Sequence, residues 1–580
     1  MKASIKKFKL LIVTMMLGGY ALVSYSFVDN YFEVSKNLDI FATLFRELNI
    51  YYVDETNPGE LMKKGIDDML GSLDPYTNFI PESEIEDYRY MTTGQYGGIG
   101  ALIRQQGDYV VISEPYEGFP AQKADLRAGD KILRINDVDA KGKKTDDISK
   151  FLKGQASTTI TLLIEREGEK KPIEKIINRE EIKIKSVPYS GMLNESVGYI
   201  KLTGFTENAA NEVKAALIDL KKNPALKSIV LDLRGNPGGL LKEAVEIVNI
   251  FTEKGTGVVS TRGKVKEWDQ VHYGKNNPVD LAIPIAVLVD RGSASASEIV
   301  SGSLQDLDRG VVVGQRSYGK GLVQQTRPLS YNAQLKVTVA KYYTPSGRCI
   351  QALDYSHRNE DGSVAKVPDS LISAFKTKNG RIVYDGGGVA PDVSVEAQKY
   401  SNILASLVTK NLIFDYATKY RTLHETLPAA KGFRLNDAEY DEFVTFLNSK
   451  EYDYTTKTEK TLEELKTNAK DEKTIDAISA DIEALKIKIT HNKKEDLVKF
   501  KPEIKQFLEE EIASRYYFQN GRLEASLKDD KELAEALSLL KDEGKYKSIL
   551  TTIEKPDKPF NLEKDKQKNL KNNKAGTQEN

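Results

Sequence analysis

The chain of 580 residues carries 84 Lys and Arg against 85 Asp and Glu, a formal net charge of -1, and is 40% hydrophobic. That length implies several domains, and the near-neutral balance gives no electrostatic footprint for nucleic-acid binding. One cysteine, Cys349, excludes an internal disulfide framework or a cysteine-rich metal site, and none of the four histidines (His272, His357, His424, His491) stands in a zinc-binding spacing.

The chain opens with Lys2, Lys6, Lys7 and Lys9, followed by an apolar run over residues 10–28. A basic flank before such a run reads as a secretory signal or an uncleaved membrane anchor. Ser24-Tyr25-Ser26 would be a small-x-small cleavage site, and the lysines place the N-terminus inside and the remainder outside the membrane. Residues 29–87 read as helical, because Phe41, Leu44, Phe45, Leu48 and Tyr52 recur at steps of three and four. Asp74-Pro75-Tyr76-Thr77 is turn chemistry.

Residues 88–170 alternate short strands with turns. Tyr96-Gly97-Gly98-Ile99-Gly100 leads into Ala101-Leu102-Ile103, a short helix is expected over residues 120–126, and Gly129-Asp130 turns into the strand Lys131-Ile132-Leu133-Arg134-Ile135. This segment resembles a PDZ domain, which adds a peptide as a strand to a sheet edge and holds its terminal carboxylate on backbone N–H groups. The resemblance implies that Gly97, Gly98, Ile99 and Gly100 form the carboxylate loop. Asp125 stands where that family has glycine, a departure that touches a turn rather than the groove.

From residue 181 a strand–helix rhythm sets in. Val197 to Leu202 and Ile229 to Leu233 are strands, residues 211–220 are helical, and the turn Arg234-Gly235-Asn236-Pro237-Gly238-Gly239 opens another helix. The pattern predicts an α/β core. A further apolar strand over residues 283–289 runs into Gly292-Ser293-Ala294-Ser295-Ala296-Ser297, then Glu298, Ile299, Val300 and Leu304 at helical spacing. Such a turn puts a small side chain at a helix N-terminus, where free N–H groups favour a developing anion. A strand at Val311 to Val313 leads to Gly319-Lys320-Gly321, after which Lys320, Leu322 and Gln324 are expected to share one face. Taken alone, the small-residue cluster is ordinary turn material and Gly-Lys-Gly an ordinary loop.

Together, Ser-Ala-Ser-Ala-Ser-Glu-Ile and Val-Val-Gly-Gln-Arg-Ser-Tyr-Gly-Lys-Gly-Leu-Val-Gln-Gln resemble the carboxyl-terminal processing (tail-specific) proteases over residues 35–396. The resemblance implies a ClpP/crotonase-like α/β protease core over residues 181–396 with an inserted PDZ domain. It makes Ser295 the nucleophile, Lys320 the general base and Gln324 the residue that orients the lysine. Gly239 and Ala296 become the oxyanion donors, and no metal or cofactor is called for. A serine hydroxyl needs a base to become a nucleophile. None of the histidines lies in a stretch like a Ser-His-Asp motif, which fits a lysine base better. Tyr342-Tyr343-Thr344-Pro345-Ser346-Gly347-Arg348 also matches the family and reads as structural, residues 352–386 read as an insertion, and residues 388–393 resemble the closing segment of the family's core.

Residues 397–563 read as a charged helical extension, with Leu462, Leu465, Ala469, Ile475, Ile478, Ile482 and Leu485 at helical steps. The extension would cap the protease, dimerise or hold an adaptor. The polar residues 564–580 read as disordered. The expectation is thus a serine endopeptidase of the bacterial cell envelope, periplasmic or extracytoplasmic, that engages protein substrates by their C-termini. Two rivals stand beside it: a catalytically silent tail-binding scaffold, disfavoured because Ser295, Lys320 and Gln324 are all present, and a latent protease awaiting an activator.

Overall fold

The computed structural model describes residues 31–452, 454–489 and 493–552, and they divide after Phe79 into two compact units. The expected leader over residues 1–28 and the tail over residues 564–580 lie outside these ranges. Among the described residues, no helix is long and apolar enough to cross a membrane.

The first unit bears out the helical periodicity in two pieces. A helix over residues 31–51 is followed by Pro58–Gly71. The break has a local cause: Pro58 sits in the first turn of the second helix, and Asn57 Oδ1 caps it by accepting from the Gly59 and Glu60 N–H groups at 3.1 and 3.3 Å. The Asp74 carboxylate accepts from the Tyr76 and Thr77 N–H groups at 2.8 and 2.9 Å, so the Asp-Pro-Tyr-Thr stretch is an Asx turn.

In the second unit, Gln95–Gly98 pairs with Glu180–Lys183, a two-stranded ribbon through which the chain enters and leaves a small sheet. That sheet orders Ala101–Gln106, Tyr109–Pro115, Lys131–Ile135, Thr159–Glu165 and Ile173–Asn178 as antiparallel neighbours. Ile132, Ile135, Leu162 and Ile164 pack beneath the helix Thr145–Leu152 through Ile148 and Leu152. Ala101–Gln106 is an edge strand, as a domain that receives a peptide strand requires. The hairpin it begins is held by helices from the far end of the chain. Gln106 donates to Asp415 at 2.9 Å, Arg104 stacks 3.3 Å over the Phe414 ring, and Arg522 pairs with Glu114 at 3.1 Å.

The larger core is built on a six-stranded sheet. Its order is Tyr189–Met192, Val197–Lys201, Ser228–Asp232, Ile285–Val289, Val311–Gly314 and Val393–Ser394, parallel apart from the first pair. Strands buried on both faces read as continuous apolar runs, and Ile285–Val289 shows the division. Ile285, Val287 and Val289 pack with the helices Ala209–Leu220, Leu241–Ile250 and Ala296–Asp306, whereas Ala286 and Leu288 face the other way. The residues covering that second face are Leu533, Ala536, Leu539, Leu540 and Tyr546, from the helices Lys531–Lys541 and Glu543–Thr551. The C-terminal region is helical as expected, but its last two helices are not separate from the core. They complete it, and Tyr546 Oη both accepts from the Ile285 N–H at 2.9 Å and donates to the Ile285 carbonyl at 3.1 Å.

A second, antiparallel layer stands beside this core. Gln334–Tyr343 pairs with Leu322–Pro328 and with Gly257–Gly263, which in turn pairs with Gln270–Tyr273. The expected insertion forms two hairpins, Leu353–Arg358 with Val364–Lys366 and Ala374–Lys376 with Ile382–Tyr384.

Candidate active site

Two loops at the ends of adjacent parallel strands are locked side by side. Asp290 Oδ1 accepts from the N–H groups of Gly292 and Ser293 in its own loop at 2.9 and 3.0 Å, and from Gly235 across the gap at 2.8 Å. Ser293 Oγ donates to the Leu233 carbonyl at 2.8 Å. The Asn236 carbonyl accepts from the Ala294 N–H at 3.0 Å and from Ser297 Oγ at 2.9 Å. Gly238 fills the contact: a Cβ there would lie 2.7 Å from the Ala294 carbonyl oxygen and 2.9 Å from both the Ala296 nitrogen and Ser295 Cβ, and its φ is +101°. Only glycine fits this turn.

The chain then kinks at Ser295, whose φ of 54° and ψ of -111° are strained for a side-chain-bearing residue. Ser295 is the N-cap of Ala296–Asp306, so its side chain stands at the positive end of a buried helix. The Ser295 carbonyl accepts from Tyr342 Oη at 3.0 Å. The helix is anchored from below by Arg348, 1% exposed, which pairs with Asp306 at 2.8 Å and donates to Gln305 at 2.7 Å. The stretch from Tyr342 to Arg348 thus acts on the site by holding the serine helix.

Glu298, fully buried, connects this turn to the lysine loop. Its Oε2 accepts from the Ser295 N–H at 2.8 Å and the Lys320 N–H at 2.9 Å, and its Oε1 from Ser317 Oγ at 2.5 Å and the Gly319 N–H at 2.7 Å. Burial pushes the Glu298 carboxyl up to about 7, against the opposing pull of these four donors. The glycine before Lys320 has a packing reason: at Gly319, with φ +92°, a Cβ would lie 2.4 Å from that of Ala352. The Gly321 N–H donates to Gln351 Oε1 at 2.7 Å.

Ser295, Lys320, Gln324 and Gly239 line one cleft of about 1250 Å³. Ala296 is buried behind Ser295. Among the described residues, no backbone hydrogen bond outside the helices and strands is donated by the Gly239 or Ala296 N–H. The flanking residues explain Gly239: the Gly238 carbonyl accepts from the Phe205 N–H and the Leu240 N–H donates to the Phe205 carbonyl, so the intervening N–H points the other way. Gln324 donates through Nε2 to Thr338 Oγ1 at 3.2 Å.

The expectation that Lys320, Leu322 and Gln324 share a face by strict alternation does not hold. The strand begins at Leu322, after Lys320, and its register shifts between Val323 and Gln324, which lie opposite Ala340 and Thr338. Those two partners occupy one face of their own strand, so the bulge turns both Val323 and Gln324 to it.

Gly97, Gly98, Ile99 and Gly100 do not line this cleft and form a separate place. The carbonyls of Gly97, Ile99 and Gly100 accept from the N–H groups of Gly154, Ala121 and Tyr116. Among the described residues, no backbone hydrogen bond outside the helices and strands is donated by Ile99 or Gly100. Sequence reasoning missed Glu298 as a site residue. Its spacing from Ser295, Ser-x-x-Glu, is that of a capping box.

Comparison with known proteins places the chain in a family. Residues 196–357 match the model of peptidase family S41, residues 111–166 that of the PDZ domain, and residues 403–540 that described as "Probable PDZ-protease, C-terminal helical domain". The chain is 39% identical over 322 residues to the carboxy-terminal-processing protease of Bartonella bacilliformis, covering 55% of this chain and 73% of that one. It is 34% identical over 371 residues to a "Probable CtpA-like serine protease" of Staphylococcus aureus, covering 63% and 66%. Among solved structures, the photosystem II D1 C-terminal processing protease is 27% identical over 61% of this chain and 86% of that one, with a TM-score of 0.33. The PDZ domain of a carboxy-terminal protease from Vibrio cholerae, solved with a peptide, is 30% identical over 16% and 99%, with a TM-score of 0.15. The chain therefore belongs to the carboxy-terminal-processing proteases of peptidase family S41, serine-type proteases, and carries a PDZ domain.

Proposed function

We propose that this protease cuts unfolded chains with a Ser295/Lys320 dyad after its PDZ domain has engaged their C-terminal tails. Lys320, as the free amine, takes the Ser295 hydroxyl proton while Oγ attacks the scissile carbonyl. The resulting oxyanion is held by the N–H groups of Gly239 and Ala296; elsewhere, loss of one such donor costs about 3–4 kcal/mol of barrier. The lysine then gives its proton to the leaving amine. Water hydrolyses the acyl-enzyme by the same exchange in reverse, releasing the second product and restoring Ser295. Gln324, its amide nitrogen engaged by Thr338, turns its oxygen toward the lysine and orients it.

The observation that carries this reading is the Glu298 carboxylate, bonded at once to the main chain of Ser295 and of Lys320. A loop lysine without a role has no need of a fully buried tether to a serine turn. The silent scaffold is disfavoured for the same reason. We assign the core to the ClpP/crotonase type; its support is the βα repeat that ends in two facing N–H-bearing turns. Tail recognition is supported by the edge strand Ala101–Gln106 beside the Ile99 and Gly100 N–H groups. Residence in the cell envelope rests on the lysines and apolar run at the N-terminus.

The test is cleavage of an unfolded protein with an apolar C-terminal tail, followed by mass spectrometry, against the same protein amidated at its C-terminus. The reading requires internal cleavage that slows when the terminal carboxylate is masked. Equal rates would remove tail recognition.

A further inference from the structure

The cleft is much more cationic than the chain. The whole protein is balanced at -1, yet besides Lys320 the cleft is lined by Lys185, Lys242, Lys275 and Lys336 against a single carboxylate, Glu246. That carboxylate stands 3.9 Å from Lys242, so one pair is locally compensated. The remaining lysines have no acidic residue beside them in the lining.

Lys336 differs from the others in being half-buried, whereas Lys185 and Lys275 are exposed. It belongs to Gln334–Tyr343, opposite Thr326, and Lys336, Ala340 and Tyr342 reach the cleft from alternate positions of that strand. Among the described residues its ammonium has no hydrogen bond or ion pair, and burial pulls its pKa down. A half-buried ammonium without a counter-charge is a poor structural element. Facing a substrate cleft, it is well placed to be completed by an anion from the substrate. It lies one same-face step, roughly 7 Å by strand geometry, beyond Thr338, the partner of Gln324. With the reach of a lysine stem, its charge would meet an extended peptide roughly two to four residues from the scissile bond.

We propose that the cleft selects substrate segments carrying a carboxylate a few residues from the scissile bond, and that Lys336 is the side chain that reads it. The proposal rests on the assignment of Ser295 and Lys320 as the point of cleavage. Lys185 and Lys275 contribute a general attraction for acidic segments, screened by salt, while Lys336 supplies position.

The test uses the full chain and a set of peptides of one sequence, each with a single Glu moved along the positions flanking the cut, their Gln counterparts, and C-terminally amidated forms. Wild-type protein should prefer Glu over Gln at one position by about five- to tenfold in kcat/KM at low salt, the scale of a partly desolvated charge pair. Lys336→Gln should abolish that ratio while still cutting the Gln peptide; Lys336→Arg should keep it. Sensitivity to Glu→Gln names an acidic side chain as the anion. Sensitivity to amidation instead, also erased by Lys336→Gln, names the terminal carboxylate. Equal handling of all peptides by wild type, or an equal loss on Glu and Gln peptides in Lys336→Gln, would overturn the proposal. Peptide affinity measured by fluorescence anisotropy on Ser295→Ala gives the same ratio without turnover. A wrong nucleophile therefore shows as cleavage by Ser295→Ala, separately from a wrong reading of Lys336.

Discussion

Ser295 and Lys320 hang from one oxygen: Glu298 Oε2 accepts the N–H of the first at 2.8 Å and of the second at 2.9 Å. The serine turn and the lysine loop are therefore joined through a buried carboxylate, whose second oxygen fixes the residues just before the lysine, and by the Tyr318 N–H, which donates to the Ser293 carbonyl at 3.0 Å.

Glu298→Gln tests this tether. A carboxamide has one acceptor oxygen, so its NH₂ must face either the N–H groups of Ser295 and Lys320 or that of Gly319 beside the Ser317 hydroxyl, and each choice sets it against at least one N–H that can only donate. The expected outcome is a loss of about 1–3 kcal/mol in stability from unpaired buried groups and a fall in kcat of roughly a hundredfold from misplacement of serine and lysine, read by denaturant melts and peptide cleavage.

The same group gives a pH signature. Its folded pKa is raised from the ordinary 4.5 to about 7, so between these values the native state binds more protons than the unfolded chain. Stability from this group is then greatest at the acid end and falls as pH rises from 4.5 to 7. Melts of the wild type against Glu298→Gln across that window should show the wild type losing ground with rising pH and a flat difference above 7. A difference growing with pH would mean that the hydrogen bonds outweigh burial.

Backbone strain at Ser295 makes a separable prediction. With φ at 54°, Ser295 pays a conformational penalty that glycine avoids. Ser295→Gly and Ser295→Ala should both be inactive, but the glycine variant should be the more stable by about 1 kcal/mol. Equal melting of the two would mean that the turn relaxes.

At Gly238 the reasoning is steric. An alanine methyl would press on the Ala294 carbonyl, the Ala296 nitrogen and Ser295 itself. Gly238→Ala should leave the far side of the sheet intact and lower kcat by roughly a hundredfold through a displaced Ser295, measured with the anisotropy affinity as a control for substrate binding.

The C-terminal helices are expected to unfold together with the protease core. Leu539, fully buried on the second face of the sheet, should cost about 2–5 kcal/mol when changed to Ala. Hydrogen exchange should show reduced protection in Ile285–Val289, the strand those helices cover. A loss confined to the last two helices would make them a separate unit.

Much of this was legible in the chain. The apolar runs of the parallel sheet carry strong local signals, whereas the turn at Gly238 and the Ser295 and Lys320 motifs, ordinary turn and loop material taken singly, became informative only together, through the family they resemble. Other features depend on three-dimensional pairing. The amphipathic stripe of Lys531–Lys541 says that a face is buried, not that it is buried on Ala286 and Leu288. The alternation expected through Leu322 and Gln324 failed because a bulge leaves no mark in an apolar–polar pattern. Glu298 read as one more helix residue, since a capping spacing does not reveal that the same carboxylate reaches a loop about twenty residues later. Nothing in the local pattern marks Lys336; its pairing opposite Thr326 and its place in the cleft lining appear only in the fold.

The most direct measurement of the dyad compares the full chain with Ser295→Ala and Lys320→Ala on one unfolded, apolar-tailed substrate, by mass spectrometry of the products and circular dichroism of each variant. The account predicts native spectra for all three and cleavage by the wild type alone. Undiminished cleavage by either variant would contradict it.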